Sequence, residues 1–255
     1  LSSELKVEKE MAANRRKFIK NLAAGVAFLS ATPGKSAKHS EGPRKNTVKK
    51  SYDETNEQKT PRIRFSVIGL NHGHIYGQVS AVIRGGGELV SFYAREPELV
   101  AAFVKQHPQA KLARSEKEIL EDKSIQLVVS ASIPKDRAPL GIEVMKHGKD
   151  FMVDKPGIIS LEQLAKVRQA QKETRRIYSI MYSERFENAA TVRAGELVKA
   201  GAIGKVVQTT GLGPHRMNIK SRPEWFFDRK NYGGIICDIG SHQADQFLFF
   251  TGSNK

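Results

Sequence analysis

The chain has 255 residues, 39% of them hydrophobic, enough for one large or two modest folded domains with a real core, which excludes a disordered chain. Its single cysteine, Cys237, excludes an intramolecular disulfide framework and a multi-cysteine zinc site, and no apolar run reaches the length of about 20 residues that a stable membrane span needs. The net charge is +15, with 13 Lys+Arg against 7 Asp+Glu in residues 1–61 and 29 against 20 beyond; without a stacking motif or a recognition-helix pattern this reads as a solvated basic surface and not as a nucleic-acid site.

Residues 1–37 have the grammar of a signal region. Arg15-Arg16-Lys17-Phe18-Ile19-Lys20 is followed by a mild apolar run, Leu22 to Ala31, and then by a Pro/Gly/Ser/Ala stretch. The paired arginines with Phe18 resemble a twin-arginine export signal, with Met11 as the start and cleavage near Ala37. That pattern predicts a periplasmic or otherwise exported protein that meets the twin-arginine machinery already folded, and a thiol-poor chain suits an oxidising space. A cytosolic basic amphipathic helix is the alternative. Residues 38–61 are charged, poor in apolar groups and end in Pro61, the composition of a flexible linker.

From residue 62 to 182 strands alternate with helices of about ten residues. The expected strands are Ile63–Ile68, Glu88–Tyr93, Gln126–Ala131, Phe151–Val153 and Ile177–Tyr182. The expected helices are His74–Arg84, Glu96–Gln106, a short one capped by Ser115 with Glu118, Arg137–His147, and one capped by Ser160 with Gln163 that runs to about Thr174. This alternation predicts an α/β fold with a doubly wound parallel sheet, in which ligands sit beyond the carboxyl ends of the strands.

The residues just after the strands are therefore the candidates. Gly69, Asn71, His72, Gly73 and His74 form a glycine turn between the first strand and a helix N-terminus, an arrangement that suits an anionic phosphate. The spacing departs from G-x-G-x-x-G, and Asn71, able to adopt a left-handed conformation, is expected to keep the turn tight. Ala94 stands where an acid would meet a ribose 2′-hydroxyl and Arg95 follows it, which points to NADP with NAD still open; the alternative for Arg95 is a solvated helix-start residue. Ala131 and Ser132 follow a third strand, Asp154 and Lys155 a fourth, and Arg185 the last. His72 and His74 lack a third ligand at a known spacing, so no metal is expected.

With Asp154-Lys155-Pro156 the chain resembles the Gfo/Idh/MocA oxidoreductases over about residues 62–252. The resemblance rests on VIGLNHGHIYG, on Asp154-Lys155-Pro156 where the family usually has Glu-Lys-Pro, on Arg185-Phe186 ahead of a helix ending in Gly201-Ala202-Ile203-Gly204, and on Gly233 to His242 with its Asp-x-x-x-His. It implies a Rossmann domain (62–182) followed by an α/β domain of which residues 183–255 would be part, NAD(P)-dependent chemistry on a sugar or polyol, and homo-oligomers of the full-length form. Lys155 would sit by the nicotinamide and the reacting carbon, with Asp238 and His242 facing it. The chain departs from the family at Ser132-Ile133-Pro134, where relatives often have Thr-Pro-Asn, and at Arg137, near a common histidine.

The residues themselves agree on chemistry. Asp238 and His242 are four apart and would share a helix face; imidazole can take a hydroxyl proton and Lys155 can polarise a nascent carbonyl. A helix-start acid and a core histidine are the structural alternative for that pair, which the resemblance outweighs. Arg185–Ala200 is expected as a helix and Lys205–Gly211 as a strand. His215 and Trp225, in the loops that follow, are candidate substrate contacts; Trp225 would stack on a sugar face or serve as a packing anchor. Relatives continue past Lys255, so a truncated product is expected. Two further functions stay open: a glycosidase that oxidises transiently before elimination, and a non-catalytic sugar-binding or sensor protein.

Overall fold

The first strand, β1 (Ile63–Ile68), runs up the middle of a six-stranded, all-parallel sheet ordered β3-β2-β1-β4-β5-β6. The remaining strands are β2 (Gly87–Tyr93), β3 (Lys111–Leu112), β4 (Leu127–Ser130), β5 (Asp150–Asp154) and β6 (Tyr178–Met181). The helices between them are α1 (His74–Arg84), α2 (Pro97–Gln106), α3 (Glu116–Glu121), α4 (Pro134–Lys146) and α5 (Leu161–Thr174). This computed structural model describes residues 60–213 and 215–253; the expected export signal, its cleavage site and the linker up to residue 59 lie outside them. No helix among the described residues is long and apolar enough to cross a membrane.

The strands are apolar because both faces of the sheet are covered. Phe65, Val67 and Val129 pack into one cluster with Ile75 and Val79 of α1, while Ile68, Val128, Phe151 and Val153 pack into the other with Val144 of α4. Phe65 and Phe151 are fully buried, and cutting either back to alanine would cost about 3–5 kcal/mol. The predicted caps form: Ser115 accepts from the Glu118 N–H and Ser160 from the Gln163 N–H, while the Glu118 and Gln163 side chains accept in return from the N–H of Arg114 and Ile159, one residue before each cap. The strand order places the topological switch between β1 and β4, so the turns after those strands face one crevice.

Three expectations need correction. The helix expected at Arg185–Ala200 is two, α6 (Ser183–Phe186) and α7 (Ala189–Lys199), because the Asn188 side chain accepts from the Ala190 and Thr191 N–H groups and starts a new helix. The strand expected at Lys205–Gly211 is not formed: the segment pairs with no described strand and Val207 is 89% exposed. Asp238 and His242 lie on no single α-helix, since Asp238 is in a π-helical turn, Ile236–Gly240, and His242 in the helix after it, α9 (Ser241–Thr251). Between α7 and that turn come two 3-10 turns, Ile219–Ser221 and Glu224–Phe227, and a short helix, α8 (Arg229–Tyr232).

Candidate active site

The turn after β1 is shaped by Gly69, at φ +83°, where a Cβ would stand 2.6 Å from that of Ser132. Only glycine fits there, so the turn after β1 lies against the turn after β4. Asn71 is not left-handed, a correction to the sequence reading; among the described residues only Arg175 and Asn218 are non-glycines with positive φ. The Asn71 amide instead donates to Glu96 Oε1 at 2.7 Å, because Gly69 alone bends the chain. Gly73, the N-cap of α1, has nothing within 4 Å of a notional Cβ, and its helix N-terminus opens outward. A cavity of about 400 Å³ beside the turn is lined by Gly69, Asn71, Arg95, Glu96, Glu116 and Ser132, among others.

Under the turn lies a buried charged node. Arg137, 1% exposed, donates through Nε to the Ser132 carbonyl and through Nη1 to the carbonyls of Asp154, Lys155 and Pro156, while Nη2 reaches Asp154 Oδ2 at 3.2 Å. His74 Nδ1 is 2.9 Å from Asp154 Oδ1 and His72 Nδ1 is 2.9 Å from Oδ2. Burial alone would raise the Asp154 carboxyl; Arg137 and then the two histidines overcome it and hold that carboxyl well below the usual range. Burial likewise lowers the pKa of His72, with Asp154 opposing, and lowers that of Arg137.

The third group joins the two halves of the described chain. Lys155 Nζ, just past β5, donates to Asp238 Oδ1 at 2.8 Å and to the Asp238 carbonyl at 3.1 Å. His242 is 2% exposed and its Nδ1 is buried without a hydrogen-bond partner. Burial lowers the His242 pKa; the Glu184 carboxylate, 3.9 Å from Nδ1, opposes this, and the charges of Lys155 and Asp238 both act on the ring. Consecutive glycines at positive φ, Gly233 and Gly234, lead the chain into the π-helical turn that presents Asp238 to Lys155.

Two domain descriptions of one family match this architecture. Residues 63–182 match the family's oxidoreductase domain, an NAD-binding Rossmann fold, and residues 191–254 match its C-terminal domain. The chain belongs to the GFO/IDH/MocA oxidoreductase family. It is 29% identical over 136 residues to scyllo-inositol 2-dehydrogenase (NAD(+)) of Bacillus subtilis (strain 168), covering 53% of this chain and 38% of that one. A crystal structure from Erwinia carotovora atroseptica SCRI1043, provisionally classed as an oxidoreductase, superposes with a TM-score of 0.73 at 43% identity over 75% of this chain and 57% of that one. A levoglucosan dehydrogenase solved with NADH and levoglucosan shares the fold at TM-score 0.62 and 19% identity, over 75% of this chain and 54% of that one. The chain spans between about two-fifths and just over half of the curated relatives' length.

Against this GFO/IDH/MocA frame most of the expected residues converge, Arg185 does not, and Arg95 reaches the cavity already paired. Ala131 is buried, its N–H donating to the Gly69 carbonyl, and Ser132 lies in the cavity wall. Arg95 is there too, but its guanidinium is paired with Glu116 at 3.1 Å. Arg185 is turned to other work: it makes a bidentate pair with Asp245 and stacks over the Phe186 ring, clamping α6 to α9. His215 stacks on His242 at 6.5 Å, and the Trp225 ring comes within 6.5 Å of His72. Glu96 and Glu184, each next to an expected arginine, are site residues that the sequence does not single out, and Arg137, there only a departure from the family, is a structural centre of the crevice. A basic residue five places after the buried Ala131-Ser132 pair could have signalled a counter-ion for Asp154. The expectation of no metal rested on a missing third donor, and Asp154 now stands beside both histidines.

Proposed function

We propose that this protein is an NAD-dependent oxidoreductase that exchanges hydride with a secondary hydroxyl of a sugar or polyol. The observation that carries the reading is the Lys155–Asp238 pair, 2.8 Å long, with the buried, unpartnered His242 Nδ1 one helical turn further on. A dinucleotide fits beside the turn: Gly73 has nothing within 4 Å of a notional Cβ, the N-terminus of α1 carries no side-chain cap, and the cavity of about 400 Å³ lies against Gly69 and Asn71. A nicotinamide held there would supply the acceptor for the hydride of the carbinol carbon. His242, which burial keeps neutral near pH 7, takes the hydroxyl proton on Nδ1. Lys155 polarises the substrate oxygen as it becomes a carbonyl, and Asp238 fixes the ammonium in place. Trp225 supplies a flat face for the sugar ring.

NAD fits better than NADP. Arg95 is already paired, and Glu96, Glu116, Asp136 and Glu143 line the same cavity, so a 2′-phosphate would meet four carboxylates while a 2′-hydroxyl can donate to one. The name of the Bacillus relative, an NAD(+) dehydrogenase of scyllo-inositol, supports both halves of the reading. The test is nicotinamide absorbance with inositols and monosaccharides, each with NAD and NADP. Polyol-dependent reduction that favours NAD is expected, and no reduction or nicotinamide binding with any substrate overturns it.

The reading includes export, on the Arg15-Arg16 pattern. An exported enzyme has no free nicotinamide pool and would keep its cofactor, recycling it with a second substrate. Replacing both arginines by lysine should trap the protein in the cytoplasm; unchanged fractionation removes this part.

A further inference from the structure

We propose that His72, His74 and Asp154 form a binding site for one divalent transition-metal ion of the zinc type, beneath the glycine turn. The candidate ligand atoms all lie within 4.8 Å of one another, and the two imidazole rings meet edge to face at 4.1 Å. His72 Nδ1 is buried and lies 2.9 Å from Asp154 Oδ2, yet the pair is off the line a hydrogen bond requires, so this nitrogen has no hydrogen-bond partner. An ion held between nitrogen and carboxylate satisfies both, since a metal bond follows the nitrogen lone pair and needs no proton between them.

A second observation lies on the open side of the cluster. A separate cavity of about 220 Å³ is lined by His74, Asp154, Gln78 and Glu187. Gln78 is 1% exposed, and neither its Nε2 nor its Oε1 has a partner. A buried amide with both ends unpaired is costly, and water or a direct bond on an ion in that cavity would answer it. Glu187 places a second carboxylate in the wall to balance the charge.

The donors choose the ion class. Two imidazole nitrogens and one carboxylate suit zinc, cobalt or nickel, whereas calcium and magnesium favour oxygen ligands. Bonds of about 2.0–2.2 Å set at a tetrahedral angle put neighbouring donors about 3.3 Å apart. The two histidine–carboxylate pairs, each at 2.9 Å, must therefore open by a few tenths of an ångström, while the widest separation in the cluster, up to 4.8 Å, must close toward the same spacing. Arg137 stays in place through such a shift, because four of its five bonds go to main-chain carbonyls and only one goes to the Asp154 carboxylate.

The test uses the untagged full chain, stripped by a chelator and titrated with Zn²⁺ by calorimetry and with Co²⁺ by visible absorption. One equivalent per chain is expected, with His72→Asn and His74→Gln each weakening binding at least tenfold. Asp154 is left intact because Arg137 depends on it for charge balance. Circular dichroism of the variants confirms that they fold, and His74, whose side chain is 42% exposed, can be changed without opening the core. Binding below one equivalent, or full-strength binding that survives in both folded variants, overturns the proposal. Neither readout depends on turnover.

Discussion

Lys155 Nζ and Asp238 Oδ1 lie 2.8 Å apart across 83 residues of sequence, and the pair is almost fully buried. Removing one partner strands the other charge. Lys155→Met should cost about 3–5 kcal/mol in urea unfolding, and the double variant Lys155→Met, Asp238→Leu should cost less than the two single changes added together. Additive losses would mean that the pair is not coupled. Turnover should vanish in either case.

The buried histidines set the pH dependence of stability. Both His72 and His242 bind a proton less readily folded than at the ordinary value of 6.5. Their contribution is complete above pH 6.5 and is lost as the pH falls through 6.5 toward their folded values. Asp154 adds a second loss below its ordinary 3.8, as the pH falls toward its depressed folded value. Thermal melts from pH 8 to pH 4 should show Tm falling from about 6.5 downward, and a flat profile between pH 7 and pH 5 would contradict the burial of these rings.

Glu184 should tune the base. Its carboxylate raises the His242 pKa against the effect of burial. In Glu184→Gln that support is gone, so the acid limb of kcat/KM should move to lower pH while Tm changes little, the side chain being 35% exposed. An unmoved limb would show that His242 does not feel Glu184.

Two glycines of one turn should behave oppositely. Gly69→Ala places a methyl 2.6 Å from Ser132 Cβ in a left-handed conformation, and should cost about 1–3 kcal/mol or prevent folding. Gly73→Ala meets nothing within 4 Å in the protein and should leave Tm unchanged. It should weaken dinucleotide binding, because the added methyl stands where the phosphates approach; calorimetry with NAD separates the two effects.

Glu116 should tune cofactor choice. Glu116→Ala frees the Arg95 guanidinium, now held at 3.1 Å, to meet a 2′-phosphate. The ratio of kcat/KM for NADP over NAD should rise about tenfold or more. No change would place Arg95 outside the ribose site.

The layered sheet was legible in the sequence because strands buried on both faces are continuous apolar runs, and capping boxes mark helix starts whatever they later touch. The glycine turn was legible for the same local reason, whereas Lys155, Asp238 and His242 were singled out by the resemblance to the family, the spacing alone being equally that of a helix-start acid and a core histidine. What stayed hidden was set by contacts between distant segments. Arg137 looks like any lysine or arginine of a helix until the carbonyls of the turn after β5 fold over it. Arg185 follows a strand end as a cofactor contact would, yet Asp245, 60 residues on, claims it. Lys205–Gly211 has strand-like composition, but a strand exists only with a partner, which composition cannot supply.

The guanidinium of Arg137 bonds the carbonyl of Ser132 on one side and those of Asp154, Lys155 and Pro156 on the other. Because one planar group spans both, neither rim of the crevice can loosen alone: a fluctuation that frees residues 131–133 also frees the platform under Lys155. Amide exchange in these two segments should therefore share a single opening free energy, and whatever grips one rim stiffens the other.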